Sequence, residues 1–277
     1  MNATVTRTKI VYLLGAGATH AELMNLYFDM SSDGNFLDQN SLLLEDVSKR
    51  VCRGARKEGD FKGIGKLLAP VGLSNIELFI GLIEKNRIGP ADLIQKLKKR
   101  MQRDIQDRLT ASRRKKFYLH KALLEMHERD THEEELTGII SLNYDRVIDE
   151  AYGAVFAKEP DYCLSFDRPY LNIPLLKLHG GFGLKQGETT APVITPGINK
   201  NYLELPYNFI WGRALELLIK CDVLRVIGCS LSQNDLGLID LLFKAHIKRR
   251  ESFTVQLIDF DPENNRVKEQ YGFLSKI

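Results

Sequence analysis

The sequence predicts an α/β fold: a doubly wound parallel sheet with a large helical insertion after its first strand. Three observations carry that expectation. Five short runs, residues 9–14, 138–142, 175–178, 223–227 and 253–258, are almost unbroken in apolar or β-branched character, the pattern of parallel strands buried on both faces. Helical segments at 211–220 and 236–248 alternate with the last of these runs, as crossover helices do in an open sheet. The first two runs stand about 120 residues apart with helical but almost no strand patterning, far beyond one ordinary crossover.

Taken in order, the first run ends in Leu13 and Leu14 before a glycine turn. It is much shorter than the ~20 apolar residues of a membrane span and lacks a secretory h-region and cleavage site. The following stretch, residues 21–136, is expected to form a helical subdomain within a single domain spanning 1–277, lying over the glycine loop. Helices are predicted over 36–51, over 75–84 with Asn75 as cap, and over 90–129 with Pro90 in a first turn. The basic residues Lys98, Lys99, Arg100, Arg103, Arg108, Arg113, Arg114, Lys115 and Lys116 collect in the last of these. Acidic residues interrupt them, so a solvated or ion-paired face competes with a local nucleic-acid footprint.

Composition narrows the class further. With 44% hydrophobic and 27% charged residues the 277-residue chain can bury a full core, and a net charge of +3 is too small for wholesale nucleic-acid coating. Cys52, Cys163, Cys221 and Cys229 show no CxxC spacing, which disfavours structural zinc or a disulfide framework and suits a cytoplasmic location.

Chemistry-bearing residues fall at the ends of the strand runs. Gly15, Ala16, Gly17 and Thr19 follow the first and open a helix, where backbone amides and the helix N-terminus can receive a phosphate. A glycine turn of this kind also arises from packing alone. A dinucleotide GxGxxG motif would need glycine where His20 stands, which argues against a hydride-transferring dehydrogenase. Asn143 and Asp145 follow the second run, either as ligand-binding groups at a strand terminus or as caps of the next helix. His179 ends the third with two glycines behind it, well placed for general-base work. His127 and His132, in a highly charged stretch without HExxH spacing, read as solvated. Gly228 and Ser230 follow the fourth run and Asp259 the fifth, able to serve phosphate or ribose hydroxyls, or simply to make turns.

In their order GAGAT, SLNYD, KLHGG, GCSLS and IDFDP, these segments resemble the SIR2 (sirtuin-like) family, and more closely its bacterial NADase branch in anti-phage defence, including the SIR2 subunits that act with a HerA-type ATPase. The resemblance implies a Rossmann-like domain that takes NAD as substrate. It implies pyrophosphate binding by Gly15, Ala16, Gly17 and Thr19, and catalysis by Asn143 and His179. Asp145 would recognise the nicotinamide amide, while Gly228, Ser230 and Asp259 would line the rest of the dinucleotide site. The zinc-holding CxxC pairs of sirtuin deacylases are absent, so the preferred activity is NAD hydrolysis to ADP-ribose and nicotinamide as an antiviral effector, without a metal. A zinc-free NAD-dependent deacylase and a non-catalytic NAD or ADP-ribose binding module are the alternatives. Little chain lies outside residues 9–262, so regulation is expected through a homo-oligomer and a separately encoded partner rather than a fused sensor.

Overall fold

The computed structural model describes residues 7–27, 40–59, 75–111, 118–128, 133–165, 172–194, 202–232, 235–249, 254–259 and 265–274. Five parallel strands, β1 (Thr8–Leu14), β2 (Glu134–Ser141), β3 (Leu175–Lys177), β6 (Val223–Ile227) and β7 (Thr254–Ile258), form one sheet in the order β3-β2-β1-β6-β7. The chain builds outward from β1 to β3, then crosses to the other side of β1 and continues through β6 and β7. The strand order therefore reverses between β1 and β6, and crevices outside the carboxyl ends of strands at such a reversal are where open α/β sheets bind ligands. A small hairpin, β4 (Lys185–Gln186) with β5 (Thr189–Thr190), follows β3.

Most strands match the apolar runs because they are enclosed: Ile10 to Leu14 are wholly buried, as are Leu175 and Leu176. By contrast β7, at the sheet edge, buries only Val255 and leaves Ile258 exposed, so its apolar run is not that of a strand covered on both faces. β2 begins earlier than its apolar run, since Glu134 pairs with Thr8 in register and its carboxylate meets Arg225 at 3.0 Å. A bulge at Thr137 shifts the β1–β2 register. Gly138 lets α7 (Tyr207–Lys220) pack onto the sheet, because a Cβ there would stand 2.4 Å from Leu217. α8 (Leu236–Lys248) has the bounds the sequence predicts. Phe253 lies outside the described residues.

Between β1 and β2 come α1 (Ala16–Tyr27), α2 (Leu44–Lys57), α3 (Ile76–Asn86), α4 (Leu93–Ala111) and α5 (Leu119–Glu128). Helices α2 to α4 share a core of their own, built from residues such as Val47, Val51, Phe79, Ile80, Ile83, Leu97 and Met101. That core reaches the sheet through Tyr144, Phe182 and Val193. By contrast α5 returns to the sheet, with Leu124 in the main core.

Asn75 caps α3, its side chain accepting from Leu78 N at 2.9 Å. Pro90 does not stand in a helical turn: α4 starts three residues later, and Pro90 O accepts from Leu93 N. The expected 90–129 segment resolves into α4 and α5, with 112–117 and 129 outside the described residues. The N-terminal part of the expected 36–51 helix, to residue 39, also lies outside them. Among the described residues, two of the basic ones are ion-paired: Arg108 with Asp104 at 2.7 Å, and Arg100 with Glu58. Arg50 of α2 binds the same Asp104 at 2.9 Å, tying α2 to α4. His127 is not a solvated group, because its Nε2 meets the hydroxyl of the buried Tyr12 in the sheet.

In chain order α6 (Val147–Phe156) follows β2 and α9 (Asn265–Tyr271) follows β7. No helix among the described residues is long and apolar enough to cross a membrane.

Candidate active site

A cavity of about 510 Å³ opens at the strand-order reversal. The loop after β1 contributes Gly15, Ala16 and Gly17; the loops after β2 and β3 bring Asn143 and His179; those after β6 and β7 bring Gly228, Ser230 and Asp259. From the insertion come Leu43, Leu44, Asn75 and Glu77, and α9 adds Arg266, Val267 and Gln270. Thr19 and Asp145 line a smaller adjoining cavity of about 80 Å³, which shares Ala16, Leu44, Glu77, Leu142 and Asn143 with the larger one. The structure thus gathers eight of the ten sequence-selected residues around one space and sets the other two beside it.

The glycines are required first by backbone packing. Gly228 has φ +55°, and a Cβ on it would meet Ala18 N at 2.2 Å, while a Cβ on Gly15 would meet Gly228 O at 2.5 Å. The two loops are also bonded: Gly15 N donates to Ile227 O at 3.1 Å and Gly17 N to Gly228 O at 2.9 Å. Ala18 N turns back to Gly15 O. The α1 N-terminus therefore offers a ligand the exposed Ala16 and its positive dipole end rather than a full row of glycine amides.

Asn143, Thr19 and Asp145 form one buried network. The Asn143 amide nitrogen donates to Gly15 O at 2.9 Å and to Thr19 Oγ1 at 3.0 Å, and Thr19 donates onward to Asp145 Oδ2 at 3.0 Å. Asp145 Oδ1 accepts from Val147 N, so this residue does serve the start of α6, the capping role the sequence left open. With both amide hydrogens committed, the chemistry left to Asn143 is that of its acceptor Oδ1. The loop is braced from below by Lys177 of β3, whose ammonium bonds the carbonyls of Asn143 and Asp145 and pairs with Asp149 at 2.9 Å. Lys177 and Asp149 are almost completely buried, and Tyr162 donates to the same Asp149 carboxylate at 2.6 Å.

His179 sits among aromatic rings with a carboxylate behind it. Its Nε2 lies 3.0 Å from Asp235 Oδ2, both side chains being buried. Asp235 also caps α8, accepting from Leu238 N at 3.2 Å. Tyr202 is a further partner: burial first, then the Asp235 carboxylate to which it donates, pushes its hydroxyl pKa upward and keeps it a donor. Trp211, 6.2 Å from the imidazole between centroids, donates its indole N–H to Leu178 O and so fixes the strand end. The Tyr144 ring stands 6.4 Å from the imidazole, and its hydroxyl donates to Glu77 at 2.7 Å. Burial, reinforced by the neighbouring Glu77, holds Tyr144 well above its ordinary pKa.

Sequence reading missed Asp235, Glu77, Lys177 and Arg266. Asp235 was visible as an acidic residue immediately before a helical run, a capping signal that concealed its contact with His179. Glu77 gave no signal, because its relation to Asn143 depends on how the insertion folds back. Cys229 lines the cavity, but burial pushes its thiol up to about 12, so it is no thiolate nucleophile near neutrality.

No family model matches the chain, and no curated protein matches it. Among solved structures it is similar to a substituted Sir2 homologue in complex with 2′-O-acetyl ADP-ribose, at 15% identity and a TM-score of 0.41, covering 98% of this chain and 92% of that one. A Sir2 homologue in complex with NAD gives 14% identity and a TM-score of 0.36, with coverage of 98% and 92%. A substituted Sir2 homologue with ADP-ribose gives 15% identity, a TM-score of 0.35, and coverage of 98% and 91%. Likeness at this level assigns no function, which must come from the geometry of the site itself.

Proposed function

We propose that the protein hydrolyses the nicotinamide N-glycosidic bond of NAD, releasing nicotinamide and ADP-ribose. The observation that carries this reading is the gathering of Asn143, the His179–Asp235 pair and the α1 N-terminus around one cavity of about 510 Å³. That volume falls within the roughly 300–1,000 Å³ typical of small-molecule and cofactor sites.

The positive end of α1 and Arg266 suit the pyrophosphate, while Ser230 and Asp259 offer groups for ribose hydroxyls. Nicotinamide leaves as a neutral base from a cationic ring, so no general acid is needed. Asn143 Oδ1 accepts a hydrogen from the attacking water or a ribose hydroxyl, and fixes its direction. His179 takes the proton, and Asp235 stabilises the imidazolium that results. Thr19 and Asp145, beside the cavity, act through the Asn143 network, with the nicotinamide amide as Asp145's proposed contact.

Purified protein incubated with NAD, with and without an acetyl-lysine peptide, tests this directly. Nicotinamide release independent of peptide is expected. Release that requires peptide would instead identify a deacylase, and binding without release would identify a binding module. From the sequence resemblance we carry forward NAD depletion in antiviral defence, a cytoplasmic homo-oligomer and a partner such as a HerA-type ATPase.

A further inference from the structure

We infer that Glu77, supplied by the helical insertion, is a third catalytic residue: its carboxylate stabilises the positive charge of the nicotinamide-ribose end of the substrate and of the transition state derived from it. The inference rests on the NAD-cleaving reading and adds a group that the strand-end motifs do not contain.

Glu77 is the acidic residue that lines both the large cavity and the small one beside it, together with Asn143, Leu142 and Ala16. It therefore stands where the Asn143 side of the site meets the insertion. It belongs to the first turn of α3, where the helix dipole favours an anion. Its setting is built rather than accidental: Asn75 caps the helix through Leu78 N, and Ile76 N donates to Ser48 Oγ at 2.9 Å. The Tyr144 hydroxyl, donating at 2.7 Å, fixes one carboxylate oxygen. Tyr144 keeps its proton because burial and Glu77 both oppose phenolate formation, so its hydroxyl stays a donor to Glu77.

The chemistry calls for such a charge. As the C1′–N bond breaks, its electron pair moves to the nicotinamide nitrogen and positive charge passes to C1′ and the ring oxygen of the ribose. Water then bonds to C1′ and its proton goes to His179. Glu77 transfers no proton in this scheme. Preorganised charge aimed at a developing ion in a water-poor site typically contributes ~10²–10³ in rate.

Glu77 has an evident structural job as well, since Tyr144 ties α3 to the loop after β2, and the test separates the two. Glu77→Gln keeps an acceptor for Tyr144 but removes the charge; Tyr144→Phe removes the tie and keeps the charge. Expected for Glu77→Gln is a ~10²–10³-fold fall in kcat for nicotinamide release with unchanged melting temperature, and for Tyr144→Phe a fall below about tenfold. A second readout is the ratio of affinities for NAD and NADH by calorimetry in the slow-cleaving His179→Ala background, because only NAD carries the pyridinium charge. With Glu77 intact the ratio should favour NAD about tenfold, and Glu77→Gln should bring it near one. Near-parental kcat and an unchanged ratio in Glu77→Gln overturn the role of Glu77 and leave the hydrolase reading standing. A parent that binds and discriminates NAD without cleaving it overturns the hydrolase reading, while loss of discrimination in Glu77→Gln would still place the charge at Glu77. A parent that binds neither dinucleotide overturns both.

Discussion

At the residue scale, the proposed chemistry separates into groups that meet the substrate and groups that hold them. His179→Ala and Asn143→Ala should each lower NAD cleavage by ~10²–10⁴, measured as nicotinamide release by folded protein. Each should also cost about 1–3 kcal/mol of stability through the buried partners left unpaired. Near-parental turnover in either would remove that residue from the mechanism. Asp235 is the more discriminating position because it has two functions, capping α8 and facing His179. Asn is as good an N-cap as Asp, so Asp235→Asn keeps the helix start while withdrawing the charge from the imidazole. The expected outcome is a ~10²-fold loss of kcat with a melting temperature within a few degrees of the parent. An equal loss of stability and activity would point to capping alone.

The strand-end residues were legible because a buried parallel strand advertises itself by composition and leaves its polar successor at the sheet's carboxyl edge. Asn143, His179 and Gly228 were accessible in this way. The purpose of Gly15 and Gly17 was not, since only the fold shows that Gly228 of a distant strand presses against them. Lys177 lay hidden for a related reason: a lysine within an apolar run gives no hint that its ammonium will brace the preceding loop.

At the scale of elements, the junction between the insertion and the sheet depends on buried polar ties. Glu22 of α1, fully buried, accepts from the amides of Tyr118, Leu119 and His120 and from His120 Nδ1 at 2.8 Å, so it anchors the start of α5. Burial pulls its carboxyl pKa upward, but the bonds from His120 and Leu119 outweigh that pull and hold it below its ordinary value. A depressed folded-state pKa gives stability that is present above the unfolded value and lost as pH falls through the folded one. Glu22→Gln should therefore cost roughly 2–3 kcal/mol near pH 7. The difference from the parent should shrink in acid, below the carboxyl's ordinary range. Denaturant titrations of both proteins across pH measure this, and a pH-independent difference would contradict the assignment. Periodicity located α3 and its Asn75 cap, whereas the division between α4 and α5, and the return of α5 to the sheet, depend on contacts with α6 and α1 that local sequence does not encode.

Across the whole molecule, the fold places one set of apolar side chains outward. Leu236, Phe243 and Ile247, at helical spacing along α8, are 60%, 50% and 64% exposed, and Phe273 lies beside Phe243. Toward its end α8 carries Lys244, His246 and Lys248, with Asp240 nearer its start. Two copies packed antiparallel about a two-fold axis would bury this stripe. Self-association through α8 is accordingly expected, with Phe243→Glu shifting a multimer toward monomer in light scattering. A parent that is monomeric at micromolar concentration would contradict it.

In the proposed hydrolysis, water attacks the nicotinamide-bearing carbon of NAD in this cavity. The most direct measurement of that step is mass spectrometry of the products formed by the purified protein from NAD in heavy-oxygen water. The expected result is unlabelled nicotinamide with ADP-ribose carrying one heavy oxygen, produced without any peptide and lost in His179→Ala. NAD left intact, or ADP-ribose released only as an acyl ester when an acylated peptide is supplied, would contradict the assignment.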